Sequence, residues 1–405
     1  MNDRLRAGMR EAGRLTRASR LIEATALLQR VLQNGTDREP AADDAGAAPT
    51  IDLVASTIEV TPAQRGRPEK AIGAQLPEML RRFRNRAIRA EFEPGSGGLA
   101  DASAAADIPV PEAGQFLTKS FSNEAGSRTY KLYVPSQYRG QPLPLIVMLH
   151  GCTQSPDDFA AGTRMNLRAE EHNCFVVYPE QSASANISKC WNWFRPGDQI
   201  RGQGEPALIA GLTRQVVSDY SVDEERIYAA GLSAGAAAAA VLAAAYPDLY
   251  AAIGVHSGLA CGAASDVPSA FAAMRRTQPM MRRRSGGNSS GRRGYSRIVP
   301  AIVFHGDQDT TVHPNNGDQV IAQLREMSDT AVRLTVEDGR VPGGRAYTRT
   351  VHRDAAGHSI FEQWVIHGAG HAWSGGSLTG SYTDPQGPDA TREMLRFFFE
   401  HPLSS

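Results

Sequence analysis

The sequence predicts an α/β fold with a mostly parallel central sheet and helices on both faces. Three observations predict it. Short continuous apolar runs, such as Leu143–Leu149 (LPLIVML) and 174–178 (CFVVY), read as strands buried on both faces. Stretches of helical length separate these runs. The alternation starts near Gln115 and continues toward the C-terminus, as expected of parallel strands joined by crossover helices.

The elements follow in order. Residues 130–134 alternate as a strand, and Leu143–Leu149 is the first buried one. Residues 156–171 read as one helix, 174–178 as a strand and 205–220 as a helix. Residues 227–230 form the next strand, followed by the alanine helix Ala234–Ala245. Strands are expected at 251–255, 302–304 and 362–366, with a helix at 319–327 and a terminal helix after the last strand. Residues 275–297 interrupt this order with eight arginines and few core-forming side chains, which predicts a flexible surface insertion in a catalytic domain spanning 115–405.

Upstream, residues 1–35 place Leu21, Ala24, Leu28, Val31 and Leu32 at helical spacing, an amphipathic helix. It is expected to dock on the main domain, or to touch a hydrophobic surface such as a polymer granule. Residues 36–114 read as a largely flexible linker, with a docked segment near 51–60 and a short basic helix near 76–91. Arginines interrupt the start of the chain where a secretory signal would have its apolar block, so no signal peptide is evident and a cytoplasmic location is favoured.

Composition excludes several function classes. The 405 residues carry 43 Lys+Arg and 43 Asp+Glu, a formal net charge of zero, which argues against a nucleic-acid binder. No apolar run reaches the roughly 18 residues of a transmembrane span. Four cysteines without C-x-x-C spacing give no support to a zinc ribbon or haem attachment.

The chemistry centres on Gly231-Leu232-Ser233-Ala234-Gly235, a G-x-S-x-G element between a predicted strand and a predicted helix. Two glycines permit the sharp turn that exposes a serine hydroxyl. Such a hydroxyl needs a base, and the base needs a carboxylate to fix its tautomer. Asp309, just beyond the strand 302–304, is the preferred carboxylate, with Asp307 as the alternative. His371, on the Gly-rich loop after 362–366, is the preferred base, with His367 as the alternative. A zinc site on His305 and His313 would leave Ser233 unexplained. Backbone amides of Ala234 and Cys152 are the expected oxyanion donors, Cys152 lying in the His150-Gly151 loop after Leu143–Leu149.

Trp191, Trp193 and Trp373 fall in loops expected to rim the site, where they would suit an apolar acyl chain or a polyester strand. Gln154 is taken with them as a substrate contact. Loops pinned by buried tryptophan are the alternative. Cys152 and Cys190 both lie on predicted active-site loops, so a disulfide between them is an expectation; it requires an oxidising compartment, in tension with the missing signal.

Seven motifs then occur in order: LHGCTQ (149–154), VVYPEQ (176–181), CWNWF (190–194), RGQGEPA (201–207), GLSAG (231–235), VHSGL (255–259) and GHAWSGG (370–376). Together they resemble the poly(3-hydroxybutyrate) depolymerase family of esterases, which includes feruloyl and acetyl xylan esterases, over roughly 116–401. The resemblance implies an α/β-hydrolase fold, a triad on Ser233, Asp309 and His371, and ester hydrolysis without metal or organic cofactor. It also implies that an extracellular location is open. The expected substrate is a polyester or its oligomers; the alternatives are a feruloyl or acetyl xylan ester, or a non-catalytic role in binding polyester granules.

Overall fold

The computed structural model describes residues 55–60, 114–275, 297–327 and 331–403. The expected helix in 1–35, the basic helix near 76–91 and most of the Arg-rich insertion lie outside the described residues. Within the expected linker, Ala55–Val60 forms strand β1.

Strands β2 (Gln115–Asn123) and β3 (Gly126–Val134) make an antiparallel hairpin. Strand β4 (Leu143–Leu149) is buried throughout, as its unbroken apolar run requires. Helices α1 (Pro156–Thr163) and α2 (Met165–His172) follow, then β5 (Phe175–Pro179), helix α3 (Gly204–Asp219) and β6 (Val222–Leu232). Helix α4 (Ala234–Ala245), β7 (Ala252–His256), α5 (Val267–Met274), β8 (Ala301–Gly306) and α6 (Asn315–Glu326) continue the alternation. Strands β9 (Val332–Arg340), β10 (Ala346–Arg353) and β11 (Ser359–Ile366) precede the terminal helix α7 (Ala390–Phe399).

These strands form one 11-stranded sheet in the order β1-β9-β10-β11-β8-β7-β6-β4-β5-β3-β2, and the two-residue strands β12 (Trp373–Ser374) and β13 (Thr383–Asp384) pair separately in parallel. The run from β11 to β5 is parallel. Antiparallel strands flank it on both sides. Side chains of β4 alternate between the two faces. Leu145, Val147 and Leu149 join a core with α3 and α4; Ile146 and Met148 join a second core with α2 and α7.

Two expectations need correction. The single helix at 156–171 is two helices, broken where Arg164 adopts a left-handed φ of 54°. No glycine marks the break. The Arg164 N–H closes α1 on the Ala160 carbonyl, and its guanidinium donates to the Gly375 carbonyl at 2.6 Å. The strands β9 and β10 were not expected. Their sequences, VRLTVEDGR and AYTRTVHR, hold a short apolar alternation at Val332, Leu334 and Val336 that the charges obscure, and they pair partly through charge across the sheet. Arg349 of β10 reaches Glu337 of β9 at 3.1 Å and Glu362 of β11 at 2.8 Å.

Glu362 is fully buried. Its carboxylate accepts from Arg349, from Arg396 of α7 at 2.7 Å, and from the Trp364 indole at 3.2 Å. Removing one partner of a buried charge network leaves the others uncompensated. Glu362→Ala is therefore expected to cost about 3–5 kcal/mol in urea unfolding. A loss below about 1 kcal/mol, typical of an exposed pair, would contradict the tie between sheet and helix.

Candidate active site

Ser233 stands between the end of β6 and the start of α4, with φ 57° and ψ −118°. A non-glycine residue held there is strained, and the surroundings must hold it. The Ser233 N–H donates to the His256 carbonyl at 2.9 Å, and the Ser233 carbonyl accepts from the Ala237 N–H at 3.0 Å. The two glycines are needed for close approach. A Cβ on Gly235 would lie 2.0 Å from the Leu149 carbonyl oxygen, and one on Gly231 would lie 2.4 Å from the Gly235 carbonyl carbon. Helix α4 thus starts directly against the end of β4. Ala234 is the first helical residue, so its N–H has no acceptor within the helix.

Strands β8 and β11 are parallel neighbours, and the loops beyond them carry the acid and base. His371 Nδ1 lies 2.7 Å from Asp309 Oδ2. The carboxylate accepts, so the ring proton is on Nδ1 and Nε2 presents a lone pair. The other carboxylate oxygen, Oδ1, accepts from the Thr311 and Val312 amides at 2.9 and 2.8 Å. Burial alone would raise the Asp309 pKa, but hydrogen bonds from His305 and His371 outweigh it and hold the carboxyl well below its ordinary range. His305 Nε2 donates to the Val312 carbonyl at 2.8 Å and lies 3.4 Å from Asp309 Oδ2, so it buttresses the carboxylate.

The alternative residues pair with each other. His367 Nδ1 lies 3.0 Å from Asp307 Oδ2, and the Gly368 N–H donates to Asp307 Oδ1 at 2.7 Å. This second pair ties the same two loops together in a more solvent-accessible place than the Asp309–His371 pair.

His256 distinguishes the two pairs, and sequence reasoning missed its role. Its carbonyl holds Ser233, and its Nε2 accepts the Ser374 N–H at 3.0 Å, three residues past His371. One buried residue of β7 therefore links the serine turn to the His371 loop. The available signal was a histidine ending a buried strand in VHSGL. Phe304 and Trp373 stack on its ring. Burial, with lesser contributions from His305 and His371, lowers its pKa from 6.5 to about 3, so it is neutral.

On the other side of the serine, three amides of the loop after β4 are engaged. Gly151 N–H donates to Gln154 Oε1 at 2.8 Å, Thr153 N–H to the Ser188 carbonyl at 2.8 Å, and Gln154 N–H to the Gly151 carbonyl at 3.3 Å. Cys152 supplies the remaining amide of this turn, and its side chain is disulfide-bonded to Cys190. His150 plays the same part here as His256 does opposite. Its Nε2 accepts the Gln181 N–H at 3.0 Å, and burial lowers its pKa from 6.5 to about 4.

The tryptophan rim is not where the sequence suggested. Trp191, Trp193 and Trp373 are all buried, at 0%, 6% and 1% exposure. Trp191 serves as core for a loop without regular backbone pairing and donates to the His150 carbonyl; Trp373, in a two-residue strand paired with Thr383–Asp384, donates to the Thr391 hydroxyl. Gln154 is also no free substrate contact. It is buried, and its amide is consumed by Gly151, Asp158 and Ser381. The exposed apolar side chains near the 151–154 turn are others. Tyr382 is 48% exposed with its hydroxyl 3.3 Å from Thr153 Oγ1, and Ile187 precedes the Ser188 that holds Thr153.

Two consequences can be measured. The fold holds His150 and His256 neutral. Their contribution is fully present above about pH 6.5, the ordinary value, and is lost as pH falls toward about 4 and 3. The urea midpoint should therefore drop between pH 7.5 and pH 5; equal midpoints would contradict neutral buried histidines. Denatured, unreduced protein should titrate two thiols, Cys174 and Cys261, out of four cysteines. Four thiols would remove the bridge.

The chain is similar to known proteins. The family model described as Esterase PHB depolymerase matches residues 128–335. A poly(3-hydroxyalkanoate) depolymerase C of Paucimonas lemoignei is 34% identical over 256 residues, 62% of this chain and 60% of that protein. The chain thus spans less than two thirds of that relative's length. A feruloyl esterase B of Thermothelomyces thermophilus is 29% identical over 262 residues, 62% of this chain and 87% of that protein. Among solved structures, an acetyl xylan esterase from Aspergillus awamori superposes with a TM-score of 0.54 at 20% identity, covering 71% of this chain and 99% of its own. That likeness is one of fold, an α/β-hydrolase fold. With half of its length matched by the family model, and with the serine turn and Asp–His pair on the expected strands, the chain belongs to the Esterase PHB depolymerase family.

Proposed function

We propose that the chain is a serine esterase that cleaves carboxylic esters through an acyl-enzyme, acting on a poly(3-hydroxybutyrate)-type polyester or its oligomers. The observation that carries the proposal is the link from strained Ser233 through His256 to the loop of the Asp309–His371 pair.

In this reading the Ser233 hydroxyl attacks the ester carbonyl as its proton passes to His371 Nε2. The carbonyl oxygen becomes an oxyanion facing the Cys152 and Ala234 amides, where preorganised donors cost no reorganisation. Asp309 keeps the His371 ring in one tautomer and stabilises the imidazolium. The intermediate collapses, the C–O bond breaks, and His371 returns the proton to the leaving alkoxide. Water then attacks the acyl-Ser233, giving its proton to the same nitrogen, and the acid leaves with Ser233 restored. These steps call on side chains and backbone amides alone.

Two observations bear on the substrate. The relative named as a polyhydroxyalkanoate depolymerase is more similar in sequence than the feruloyl esterase, at 34% against 29%. The exposed Tyr382 and Ile187 suit an extended apolar ester. A feruloyl or acetyl xylan ester is the second reading, favoured by the 87% of the feruloyl esterase that the alignment covers. The Cys152–Cys190 bridge supports an oxidising compartment over the cytoplasm. No described helix is long and apolar enough to cross a membrane.

Turnover of soluble hydroxybutyrate oligomers, with methyl ferulate and acetylated xylan in parallel, tests the substrate. Preference for the oligomers is expected; preference for ferulate or xylan acetate selects the second reading. Ser233→Ala should lower turnover by at least about 10⁴-fold with an unchanged melting curve. Near-normal turnover would overturn the nucleophile, and failure of an organophosphonate to label Ser233 would point to a non-catalytic polyester-binding protein.

A further inference from the structure

Glu205 lies in the first turn of α3, where an acidic side chain usually points to water and complements the helix dipole. Here it is only 7% exposed. Burial pushes its carboxyl pKa up, and the hydrogen bonds it accepts oppose that. A buried carboxylate is costly unless its oxygens are matched, so what matches them is informative.

Its neutral hydrogen-bond donors come from one loop. Asn192 N–H donates to Oε2 at 2.7 Å, Asn192 Nδ2 donates to Oε1 at 2.8 Å, and Gln181 Nε2 donates to Oε1. The cationic neighbour is Arg128 of β3, 3.6 Å away. The same Gln181 Nε2 donates to the Cys190 carbonyl at 2.9 Å. Residues 181–192 contain no helix or strand, so these bonds do for the loop what a backbone ladder does elsewhere.

The loop that Glu205 holds is tied to the turn around Cys152 in four places. Gln181 N–H donates to His150 Nε2, and the Trp191 indole donates to the His150 carbonyl at 3.1 Å. The Ser188 carbonyl accepts the Thr153 N–H, and Cys190 is covalently joined to Cys152 itself. No other buried carboxylate in the described residues stands one loop away from the proposed oxyanion donor in this manner.

We infer that Glu205 is a positioning residue for the oxyanion site: through Gln181, Asn192 and the Cys152–Cys190 bridge it fixes the direction of the Cys152 amide. The inference rests on the esterase reading above. Glu205 touches no substrate in this role. A donor displaced by about an ångström stabilises the tetrahedral oxyanion poorly while ground-state binding is little changed.

The test is Glu205→Gln in the full chain, which keeps the side-chain volume but replaces an acceptor oxygen with an NH2 group. Active sites are counted by stoichiometric labelling with an organophosphonate, and rates are expressed per labelled site on p-nitrophenyl butyrate. The expected result is a kcat about 10- to 100-fold lower with KM within about 2-fold of wild type. The inhibition constant of a trifluoromethyl ketone, whose adduct carries the oxyanion, should rise by the same factor as kcat falls. A merely structural Glu205 would lower the melting temperature and the labelled fraction, leaving per-site kcat and the ketone constant at wild-type values; that result overturns the inference. If Glu205→Gln does not fold, Gln181→Ala cuts the connection to Cys190 while sparing the Asn192 bonds, and the same joint shift in kcat and ketone affinity is required. Wild-type protein without ester turnover would sink the esterase reading itself, an outcome separable from any effect of Glu205.

Discussion

The contact on which the rest of the site depends is the one between the first turn of α4 and the last residue of β4. Gly235 lies so close to the Leu149 and His150 carbonyls that a single added carbon could not fit. That contact forces Ser233 out of the ordinary backbone regions. It also brings the Ala234 amide beside the turn that carries the Cys152 amide. A longer or looser turn would carry Ser233 and the Ala234 amide together away from the Cys152 turn, and the proposed oxyanion site would lose one of its two donors.

Two neutral histidines then carry that geometry outward. His150 directly follows β4 and His256 ends β7, on either side of the central β6. Each accepts a backbone N–H on Nε2, from Gln181 in one case and Ser374 in the other. Gln181 starts a loop with no regular pairing of its own, and Ser374 ends a strand of only two residues. Protonation would turn each acceptor into a donor facing a donor, and burial prevents it at neutral pH. His371, the proposed base, differs in having a carboxylate on Nδ1. The sheet top therefore uses one side-chain type in two ways, separated by whether a charge stands next to the ring.

Much of this was legible in the sequence. Unbroken apolar runs gave β4 and β5 to within a residue, because strands covered on both faces leave no polar position to confuse the reading. The G-x-S-x-G element was legible because its glycines answer a steric demand. The pairing of Asp309 with His371, and of Asp307 with His367, was less legible, since two acids and two histidines sit at similar spacing on the same two loops. The link through His256 and the deeper burial of the Asp309–His371 pair separate them. The strands β9 and β10 escaped although Val332, Leu334 and Val336 alternate at the start of β9, because charged residues such as Glu337, Asp338 and Arg349 interrupt the apolar pattern that follows. The break at Arg164 escaped because an arginine holds a conformation usually left to glycine or asparagine.

The misplaced tryptophans explain how the site can be rigid and its rim variable. A loop without a backbone ladder must bury something large to stay in one conformation. Trp191 fills that need, Trp373 adds buried packing to a strand of only two residues, and neither side chain is exposed. Glu205, His150, His256 and the Cys152–Cys190 bridge add directional bonds where packing alone would leave the loops free to shift. The side chains left at the surface near the mouth, Tyr382 and Ile187, bear little of this load. The Tyr382 hydroxyl makes one long contact with Thr153, while the ring is half exposed. In the proposed reading, substitutions there can alter which ester is accepted without disturbing the bonds that hold the Ser233 turn and the His371 loop. One scaffold of buried polar ties can in this way serve esters as different as a polyester strand and an aryl ester, because specificity and alignment are carried by different residues.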